Sequence, residues 1–381
     1  MRMLVLGAGL QGCACAYDLL QNPEVKQVRL ADLHTGHLPQ FLAPYTGERL
    51  IFTPLDVRDK EAVLALMRHS DVAMSAIPYY FNYDLAAIAV EAGVHFSDLG
   101  GNTEIVVKQK TLDAAAKKKG ITVIPDCGLA PGMVNILAEH AIRQLDTVET
   151  VRIFVGGLPQ RPEPPLNYQI VYSLEGVLDY YTTLSWVLRK GKRTQVKALS
   201  ELEAVNFGGS LGELEGFHTA GGLSTMASRY EGKIPTMEYK TLRYPGHARI
   251  MEAIRELGLL DLNPVDVKGI KVVPRDLVVA AMGPRLTKPN AYDLVAMRVF
   301  ADGTKDGKPK RIGWEMVDYY AEKNGISAME RSTGYSLSIT GQMQARGEIG
   351  KAGVFTPDEA IPAEKYIREL AARGVMIREM R

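Results

Sequence analysis

The stretch that decides the fold is Met3-Leu-Val-Leu-Gly-Ala-Gly-Leu-Gln-Gly12. Its apolar start predicts a buried strand, and the three glycines follow directly and open a helix over residues 10–21. In this arrangement one glycine makes the tight turn, one lets the backbone approach a pyrophosphate, and one lets helix and strand pack closely. The free N–H groups at the helix start then face the phosphates. The predicted dinucleotide-binding residues here are Gly7, Gly9, Leu10, Gln11 and Gly12.

An acidic residue strengthens this prediction. Asp32 ends a second predicted strand, residues 27–31, twenty residues after Gly12. A carboxylate there can accept hydrogen bonds from the adenosine ribose hydroxyls, although a surface aspartate at a strand end is the simpler interpretation. The same carboxylate would repel a 2′-phosphate, and Leu33-His34 supply no arginine to bind one. The sequence therefore favours NAD over NADP.

The rest of the first third alternates short apolar runs with longer amphipathic ones. Such alternation predicts βαβ units and a parallel sheet with helices on both faces. We therefore expect an N-terminal Rossmann domain with a doubly wound parallel sheet over residues 1–127. The predicted strands are 50–53, 71–77, 94–99 and 121–124, and the predicted helices are 59–68, 82–92 and 104–119.

From about residue 147 the rhythm changes to longer strands, a hairpin and fewer helices. This pattern predicts a second, α+β domain with a mixed sheet over residues 128–328. Its expected strands are 150–155, 169–173, 237–244 and a hairpin over 293–317, and its expected helices are 174–189 and 247–257. Residues 329–381 return to helix, with a capping box at Thr356-Pro-Asp-Glu359.

Composition excludes several classes of protein. Among 381 residues, 45 Lys and Arg face 44 Asp and Glu, so the net charge of +1 predicts no nucleic-acid partner. Three cysteines without zinc-type spacing predict neither a disulfide framework nor a metal site, which fits a reducing compartment. No apolar run reaches the roughly 20 residues that span a bilayer, and the first apolar run leads into glycines without a leader. We expect a cytoplasmic protein without a membrane partner.

Further cofactor contacts are expected where the other parallel strands end, near the topological switch point. The same residues could simply form turns at helix starts. By this reasoning Asp56 and Val57 lie near the adenine, and Ala76, Ile77 and Pro78 near the central phosphates and nicotinamide ribose. Asp98, Gly100 and Gly101 are expected near the nicotinamide ring.

Three stretches are candidates for the substrate site. The loop Pro125-Asp-Cys-Gly-Leu-Ala-Pro-Gly132 should face the nicotinamide, and its glycines with the next helix start could hold a carboxylate. Cys127 in this loop is expected to be packed, since no partner for a thiolate is apparent. The other two stretches, 215–225 and 241–247, combine rare polar groups with glycines, although a single histidine is more often structural than catalytic. The candidate residues are Asp126, Gly128, Gly132, His218, Thr219, Arg243 and His247.

Four motifs together resemble the saccharopine dehydrogenase-like superfamily, and within it the lysine 6-dehydrogenases. They are the opening glycine motif, Asp126-Cys-Gly-Leu-Ala-Pro-Gly132, Phe217-His-Thr-Ala-Gly-Gly222 and Thr241-Leu-Arg-Tyr-Pro-Gly-His247. The resemblance implies NAD-dependent oxidative deamination of L-lysine at the ε-carbon. The products would be ammonia and 2-aminoadipate 6-semialdehyde, which cyclises to a piperideine-6-carboxylate. It also implies that the C-terminal helices return to the Rossmann domain and that the second domain forms a homodimer or a higher homo-oligomer.

Lysine's ammonium has an ordinary pKa near 10.4, and hydride loss requires a free nitrogen lone pair. The site must therefore desolvate the ammonium, place it near the positive nicotinamide, or supply a base. His218 is the leading candidate for such a base, with Asp98 and His247 as alternatives. Arg243 with the 128–132 loop is expected to bind the α-carboxylate, although Arg243 could equally pair with a surface acid. Two other functions stay open. One is a secondary-amine dehydrogenase acting on saccharopine or carboxynorspermidine, and the other is a dinucleotide-sensing binding protein without chemistry.

Overall fold

The computed structural model describes residues 1–34, 38–171, 173–288 and 292–380. Its N-terminal part alternates strand and helix as the sequence predicts. The strands are β1 (Arg2–Leu6), β2 (Gln27–Asp32), β3 (Leu50–Pro54), β4 (Val72–Ser75), β5 (His95–Asp98) and β6 (Thr122–Ile124). The helices are α1 (Leu10–Gln21), α2 (Lys60–Arg68), α3 (Asn82–Ala92), α4 (Thr103–Lys110) and α5 (Asp113–Lys119), with 3₁₀ turns at Gln40–Tyr45 and Tyr79–Phe81. The helix expected over 104–119 is therefore two helices, separated at Thr111 and Leu112.

The middle of the chain builds a second group of elements. Its strands are β7 (Thr147–Pro159), β8 (Ser185–Arg189), β9 (Lys192–Val196), β10 (Glu203–Gly208), β11 (Gly212–His218), β12 (Thr236–Arg243), β13 (Val265–Val267), β14 (Ile270–Val272), β15 (Asp293–Lys305) and β16 (Lys308–Tyr319). Its helices are α6 (Met133–Ile142), α7 (Leu174–Thr182), α8 (Met226–Arg229), α9 (His247–Glu256) and α10 (Pro274–Leu286). The C-terminal elements are α11 (Ala328–Ala345), β17 (Gly353–Val354), α12 (Pro357–Ala360), α13 (Ala363–Ala372) and β18 (Arg378–Glu379).

The first sheet is seven-stranded and parallel, in the order β17-β6-β5-β4-β1-β2-β3. Strands β1 to β6 have the order of a dinucleotide-binding Rossmann sheet, and the switch point lies between β1 and β4. Both faces of β1 are covered: Met3 and Val5 pack into one core cluster, and Leu4 and Leu6 into another. Burial on both faces explains why this strand is a continuous apolar run.

The second sheet is nine-stranded and mixed. Its main path is β10-β11-β12-β7-β15-β16-β18, and β8 and β9 join beside β12. Only the β12–β7 pair among these is parallel. The predicted fold, a parallel Rossmann sheet followed by an α+β domain with a mixed sheet, is therefore confirmed. The exact domain limits of 127/128 and 328/329 stay a prediction.

Two predicted elements of the second domain are wrong. The expected helix over 174–189 ends at Thr182. Ser185–Arg189 forms strand β8, after which the chain reverses and pairs as β9. The reversal occurs at Lys190 and Gly191, whose φ values of +51° and +75° suit a two-residue hairpin turn. Short apolar runs such as 185–189 fit helix and strand alike, so periodicity could not separate them. The described residues of 169–173 form no strand.

The C-terminal helices return to the Rossmann sheet, as the resemblance implied. Helix α11 packs on α1 so closely that a Cβ on Gly334 would lie 2.7 Å from the Gln11 carbonyl oxygen. On the same helix, Gly341 lies against Met74 of β4. Strand β18 then crosses to the second sheet and pairs with β16, so the C-terminal segment contacts both sheets. Among the described residues, no helix combines the length and apolarity needed to cross a membrane.

A buried ion pair fixes the last helix to the cofactor helix. The Arg373 Nε lies 2.7 Å from Oδ1 of Asp18, which is almost completely buried in α1. Arg373→Met should lower the free energy of unfolding by about 3 kcal/mol or more, because it leaves a buried carboxylate without its cation. Urea denaturation measures this change.

Arg346→Met is the matched control. Arg346 pairs with the exposed Glu24 at 2.9 Å and, at 3.5 Å, with Glu369, and all three side chains are at least partly exposed. Loss of such a surface pair costs less than about 1 kcal/mol. Equal losses in the two variants would contradict a special role for the buried pair.

Candidate functional site

The glycine loop after β1 leaves room for a ligand at the start of α1. Gly7 has a φ of +102°. A Cβ there would come within 2.7 Å of the carbonyl oxygen of Ala76, the residue that follows β4. A Cβ on Gly12 would lie 1.8 Å from the Gly7 carbonyl oxygen. By contrast, nothing lies within 4 Å of the position of a Cβ on Gly9, and no side chain caps this helix. The space beside Gly9 is therefore open where Leu10 and Gln11 begin α1, and N–H groups at a helix start can bind phosphate.

Asp32 lies beside this loop, as predicted. Its Oδ2 accepts a 2.7 Å hydrogen bond from the Ala8 N–H, and its Oδ1 accepts one of 3.0 Å from the His34 N–H. The carboxylate is thus held at the carboxyl end of β2, next to the glycine loop. This geometry suits a contact with a ribose of a bound dinucleotide.

The neighbouring strand ends complete this edge of the sheet. Ala76 and Ile77 contact the glycine loop, and Pro78 follows them at the end of β4. Asp56 and Val57 follow β3, and the Asp56 carboxylate accepts two hydrogen bonds from the Arg58 Nε, each of 2.9 Å. That contact lowers the pKa of Asp56 to about 2. The structure therefore brings together all the predicted cofactor residues at one edge.

Two buried aspartates lie at the ends of β5 and β6. Asp98 Oδ1 accepts a 2.8 Å hydrogen bond from the Gly100 N–H, and its Oδ2 accepts one of 2.7 Å from Gln109. Asp126 packs directly on Gly100, where a Cβ would lie 1.6 Å from its Oδ1. The Gly101 N–H is 3.4 Å from the same oxygen. Gly100 and Gly101 therefore take part in the close contact between the two aspartates. They do more than form the turn before α4.

Asp126 also contacts the second domain. The Ser224 hydroxyl donates a short hydrogen bond to its Oδ2. Asp126 and Ser224 both have positive φ, +63° and +50°, which is costly for residues other than glycine. Such strain persists only where the surroundings enforce it and is common at functional sites.

Tyrosines surround this contact. A Cβ on Gly101 would lie 3.7 Å from the Tyr180 hydroxyl and 3.5 Å from the Tyr79 ring, and Gly222 packs flat on the Tyr239 ring. Burial raises the pKa of Tyr180 well above its usual range, with smaller contributions from Tyr239 and Asp126. The Tyr180 and Tyr239 hydroxyls therefore stay protonated and can donate hydrogen bonds at physiological pH. Tyr79 and Gly101 of the first domain thus lie close to Tyr180 of the second.

Burial changes the acidity of both aspartates. It raises the pKa of Asp98 to about 6, although hydrogen bonds from Gln109 and from backbone N–H groups act in the opposite direction. It raises the pKa of Asp126 to about 7, where the hydrogen bond from Ser224 lowers the value and the charge of Asp98 raises it. An acid with such a pKa can exchange a proton near neutral pH, as a general base must.

His218 lies on the other face of the second sheet. His218 is opposite Lys240 in the β11–β12 pair, so these two side chains share one face. Thr219, Tyr239 and Thr241 lie on the opposite face. The His218 Nδ1–H donates to the Tyr239 carbonyl oxygen at 3.1 Å. This position does not favour the expected role of His218 as the base.

An arginine occupies the space beside His218. The Arg189 Nη2 lies 2.7 Å from both Glu201 Oε2 and Glu238 Oε2 and 3.3 Å from the His218 Nε2. Ligand atoms of these two glutamates and the histidine lie within 4.8 Å of one another, which is a spacing that metal sites also show. The guanidinium stands where an ion would bind, so we interpret this cluster as an ion-pair network.

His247 is a structural histidine in this fold. Its Nδ1–H donates to the Leu166 carbonyl oxygen at 3.0 Å, so its Nε2 accepts a 2.9 Å hydrogen bond from the Tyr181 hydroxyl. Burial, reinforced by the charge of Arg243, lowers the pKa of His247 to about 3. Both ring nitrogens are engaged and the ring is neutral, so the expected alternative role as base is not favoured.

Arg243 and Thr219 lie on the tyrosine side of the second sheet. The Arg243 guanidinium is buried over the Tyr168 ring, 4.9 Å from its centroid, and donates to the Leu242 carbonyl oxygen at 2.8 Å. Thr219 shares a 2.7 Å hydrogen bond with Thr241. Arg243 is thus a buried cation on the face that holds Tyr239, which suits an anchor for a carboxylate.

The loop between Gly128 and Gly132 uses its own polar groups. The Gly128 carbonyl oxygen accepts a hydrogen bond from Met133 at 2.9 Å, and the Gly132 N–H donates to Asn135 Oδ1 at 2.6 Å. The N–H groups at the start of α6 are therefore engaged or buried, which does not favour the expected carboxylate contact. Cys127 is buried, and burial raises the pKa of its thiol well above the usual range. This agrees with its predicted packing role.

Sequence reasoning missed Tyr79, Tyr180, Tyr239 and Ser224. Ser224 lies within the stretch 215–225, which its glycines and hydroxyls indicated as a candidate site. The residues predicted there were His218 and Thr219. The tyrosines carried no signal, because aromatic residues in strands and helices are usually core.

The comparisons with known proteins agree with this architecture. Residues 128–375 match the model of the saccharopine dehydrogenase C-terminal domain, and residues 3–124 match that of the saccharopine dehydrogenase NADP binding domain. The N-terminal part is therefore a pyridine-nucleotide-binding domain.

Curated relatives extend over nearly the whole chain. Mouse mitochondrial alpha-aminoadipic semialdehyde synthase is 24% identical over 98% of this chain, which spans only 47% of that protein. The NADP(+)-dependent, L-glutamate-forming saccharopine dehydrogenase of Saccharomyces cerevisiae is 22% identical over 99% of this chain and 98% of its own length. An apo structure of the yeast L-Glu-forming saccharopine dehydrogenase is 21% identical to this chain. It covers 100% of this chain and 99% of its own, with a TM-score of 0.81. The chain belongs to the saccharopine dehydrogenase family.

Proposed function

We propose that this chain is an NAD-dependent dehydrogenase that oxidises the ε-carbon of L-lysine and releases ammonia. The observation that carries the proposal is the juxtaposition of a raised-pKa aspartate, Asp126, with the end of the cofactor sheet and with the polar face of the second domain. The relatives named for saccharopine and aminoadipate semialdehyde chemistry support a lysine-derived substrate. Homodimer formation and a cytoplasmic location stay predictions.

The cofactor preference rests on charge. Asp32 holds a carboxylate where the adenosine ribose is expected, and a 2′-phosphate there would meet like charge. The nearest described arginine along the next strand end, Arg58, is already neutralised by Asp56. The family model and the yeast relative are named for NADP, so the preference for NAD is a specific proposal for this chain.

The substrate preference also rests on charge. Among the described residues that we place in the candidate site, Arg243 is the one cation, whereas Asp98 and Asp126 are acids. One arginine matches the single carboxylate of lysine. Saccharopine carries three carboxylates and would need further cations to replace their hydration.

Saccharopine is the second candidate substrate. The alignment with the yeast saccharopine dehydrogenase is 454 positions long and this chain has 381 residues, so the relative has internal segments without a counterpart here. The match covers nearly the whole yeast enzyme, which favours saccharopine as the substrate. The segments that this chain lacks favour a smaller substrate.

The proposed chemistry assigns each group a task. A bound nicotinamide would accept the hydride from the ε-carbon. Arg243 would bind the α-carboxylate and so orient the ε-carbon. Ionised Asp126 would take a proton from the substrate ammonium, which frees the lone pair that assists hydride loss. It would then help water to hydrolyse the resulting imine. Lysine, NAD⁺ and water thus give the semialdehyde, ammonium, NADH and one proton.

Asp32→Ala tests the cofactor assignment. Loss of hydrogen bonds to a charged group is worth about 1.5–3 kcal/mol, so NAD affinity should fall by roughly 10- to 100-fold. Binding of NADP should stay the same or improve, because the repulsive charge is gone. Calorimetric titration with both nucleotides measures the ratio, and parallel losses for NAD and NADP would contradict the assignment.

Ser224→Ala tests Asp126 as the base. The variant removes a donor that favours the carboxylate, so the pKa of Asp126 should rise from about 7. Because the ionised form is the active one, activity is lost as the pH falls through this pKa. The acidic limb of the pH profile of kcat/KM should therefore move to higher pH. Asp126→Asn should lower kcat by about 10²–10⁴-fold while the cofactor still binds.

Thr225→Ala is the matched control for Ser224→Ala. Its hydroxyl is buried beside Ser224 but has no hydrogen-bond partner within the part of the chain that the structure describes. Its removal should leave the pH profile where it is. An unshifted profile in Ser224→Ala, or an equal shift in Thr225→Ala, would count against Asp126 as the base.

A substrate panel tests the reaction itself. Purified protein is supplied with L-lysine, saccharopine or carboxynorspermidine, each with NAD or NADP, and cofactor reduction and ammonia are measured. We expect the highest kcat/KM with L-lysine and NAD, with equal amounts of ammonia and reduced cofactor. Faster turnover of saccharopine without ammonia would establish the second candidate, and nucleotide binding without any turnover would indicate a sensor.

A further inference from the structure

Two loops bring Asp126 and Ser224 together. The aspartate loop, residues 126–132, leads from β6 into α6, and the serine loop, residues 221–226, lies between β11 and α8 and includes the first residue of α8. Asp126 has a φ of +63° and Ser224 a φ of +50°. Such a conformation is costly for residues other than glycine and persists only where the surroundings enforce it. Contacts from outside the two loops must therefore hold them in place.

One buried side chain contacts both loops. Asn135 is the third residue of α6 and is only 1% exposed. Its Oδ1 accepts a 2.6 Å hydrogen bond from the Gly132 N–H. Its Nδ2 donates to the Gly222 carbonyl oxygen at 3.1 Å and lies 3.4 Å from the Met226 sulfur. A single amide thus joins the aspartate loop to the serine loop.

The amide nitrogen contacts the serine loop on both sides of Ser224. Gly222 lies two residues before Ser224, and Met226 lies two residues after it. Turns connect these positions, because the Ser224 N–H donates to the Gly221 carbonyl oxygen at 2.9 Å and the Met226 N–H donates to Leu223 at 3.0 Å. Fixing the two ends of so short a segment also fixes the hydroxyl between them.

The amide oxygen contacts the aspartate loop where its backbone is most crowded. A Cβ on Gly132 would lie 2.2 Å from the Gly128 carbonyl oxygen and 2.7 Å from the Asp126 carbonyl oxygen. The Gly132 backbone therefore packs directly on Asp126. The bond from the Gly132 N–H to Asn135 holds this packed loop against α6.

The two loops require both a donor and an acceptor at position 135. The aspartate loop presents an N–H and the serine loop presents a carbonyl oxygen. The opposite orientation of the amide would place donor against donor and acceptor against acceptor. An ionised aspartate could not donate, and alanine or serine could not bond to both loops. The residue type thus matches a bridge between these loops.

We propose that Asn135 is a positioning residue, which keeps the Ser224 hydroxyl on the Asp126 carboxylate by bonding to both loops. Asn135 acts through Ser224 and has no task of its own in the reaction. Its importance for catalysis rests on the proposed function, in which ionised Asp126 takes a proton from the substrate. Loss of the bridge removes a donor that favours the charged form of Asp126.

The other titratable groups that act on Asp126 come from different elements. They are Asp98 at the end of β5, Cys127 in the aspartate loop, Tyr180 on α7 and Asp358 on α12. The hydrogen bonds of the Asn135 side chain within the described ranges go to none of these groups. An effect of Asn135 on the acidity of Asp126 is therefore expected to depend on Ser224.

A carbon-13 NMR titration of the full chain, labelled at the aspartate carboxyl groups, tests the proposal. Asp126→Asn identifies the signal of Asp126. Asn135→Ala should raise the pKa of Asp126 by about one unit, as expected for a lost hydrogen bond to a charged group. Ser224→Ala should raise it similarly, and the double variant should show no larger rise than Ser224→Ala alone, because both changes remove the same bond. A pKa that does not rise in Asn135→Ala, or additive shifts in the double variant, would overturn the proposal.

This titration needs neither substrate nor cofactor, so it separates the bridge from the proposed reaction. If both hold, Asn135→Ala moves the acidic limb of the kcat/KM profile to higher pH together with the pKa of Asp126. A raised pKa with an unmoved acidic limb would support the bridge and reject Asp126 as the base.

Ser336→Ala is the matched control. The Ser336 hydroxyl on α11 is also buried and donates to the Gly128 carbonyl oxygen at 3.1 Å. Its removal loosens the aspartate loop without a direct effect on the serine loop, so the pKa of Asp126 should not change. A rise equal to that in Asn135→Ala would count against the bridge. If thermal melting shows that Asn135→Ala does not fold, Asn135→Ser takes its place with the same expected result.

Discussion

Close backbone contact at the carboxyl edge of the first sheet is the constraint on which the rest of the site depends. The Gly7 and Gly12 backbones touch β4 and each other at distances that leave no space for a Cβ, and Asp126 lies directly on Gly100. Because Gly7, Gly12 and Gly100 carry no side chain, the start of α1 and the ends of β5 and β6 can pack closely at this edge. The open space above Gly9 exists because its neighbours pack so tightly. A ligand at this edge would therefore meet backbone N–H groups directly.

The electrostatics of the site follow from the same packing. Two carboxylates, Asp98 and Asp126, lie near each other away from water, which disfavours the charged form of both. Fixed donors offset part of this cost: backbone N–H groups and Gln109 for Asp98, and Ser224 for Asp126. Only Asp126 receives its donor from the second domain. Its acidity therefore depends on how the two domains meet, which would couple domain contact to proton transfer.

Strand register decided the outcome for the polar residues of the second domain. The sequence singles out His218 and Thr219 as neighbours, but adjacent residues of a strand point to opposite faces. The fold places Thr219 beside Thr241 on the tyrosine side and His218 among Glu201, Glu238 and Arg189 on the other. A motif read from the sequence gives residue types and spacing but not the face of the sheet. His247 shows a related limit, because its two hydrogen bonds come from segments 66 and 81 residues away.

Almost all of the Rossmann half could be predicted from the sequence, because strand, glycine turn, helix and acidic strand end are local patterns with local physical causes. The predicted bounds of α1 and α3 match the observed ones, and Gly9 marks the start of the first helix and Gly93 the end of the second. It also indicated the mixed second domain and the family. Which polar groups meet could not be predicted in this way: the Asp126–Ser224 contact joins residues 98 positions apart, and Tyr79 and Tyr180 come together at Gly101 from different domains. Such contacts depend on register, burial and the approach of distant segments, none of which a local pattern encodes.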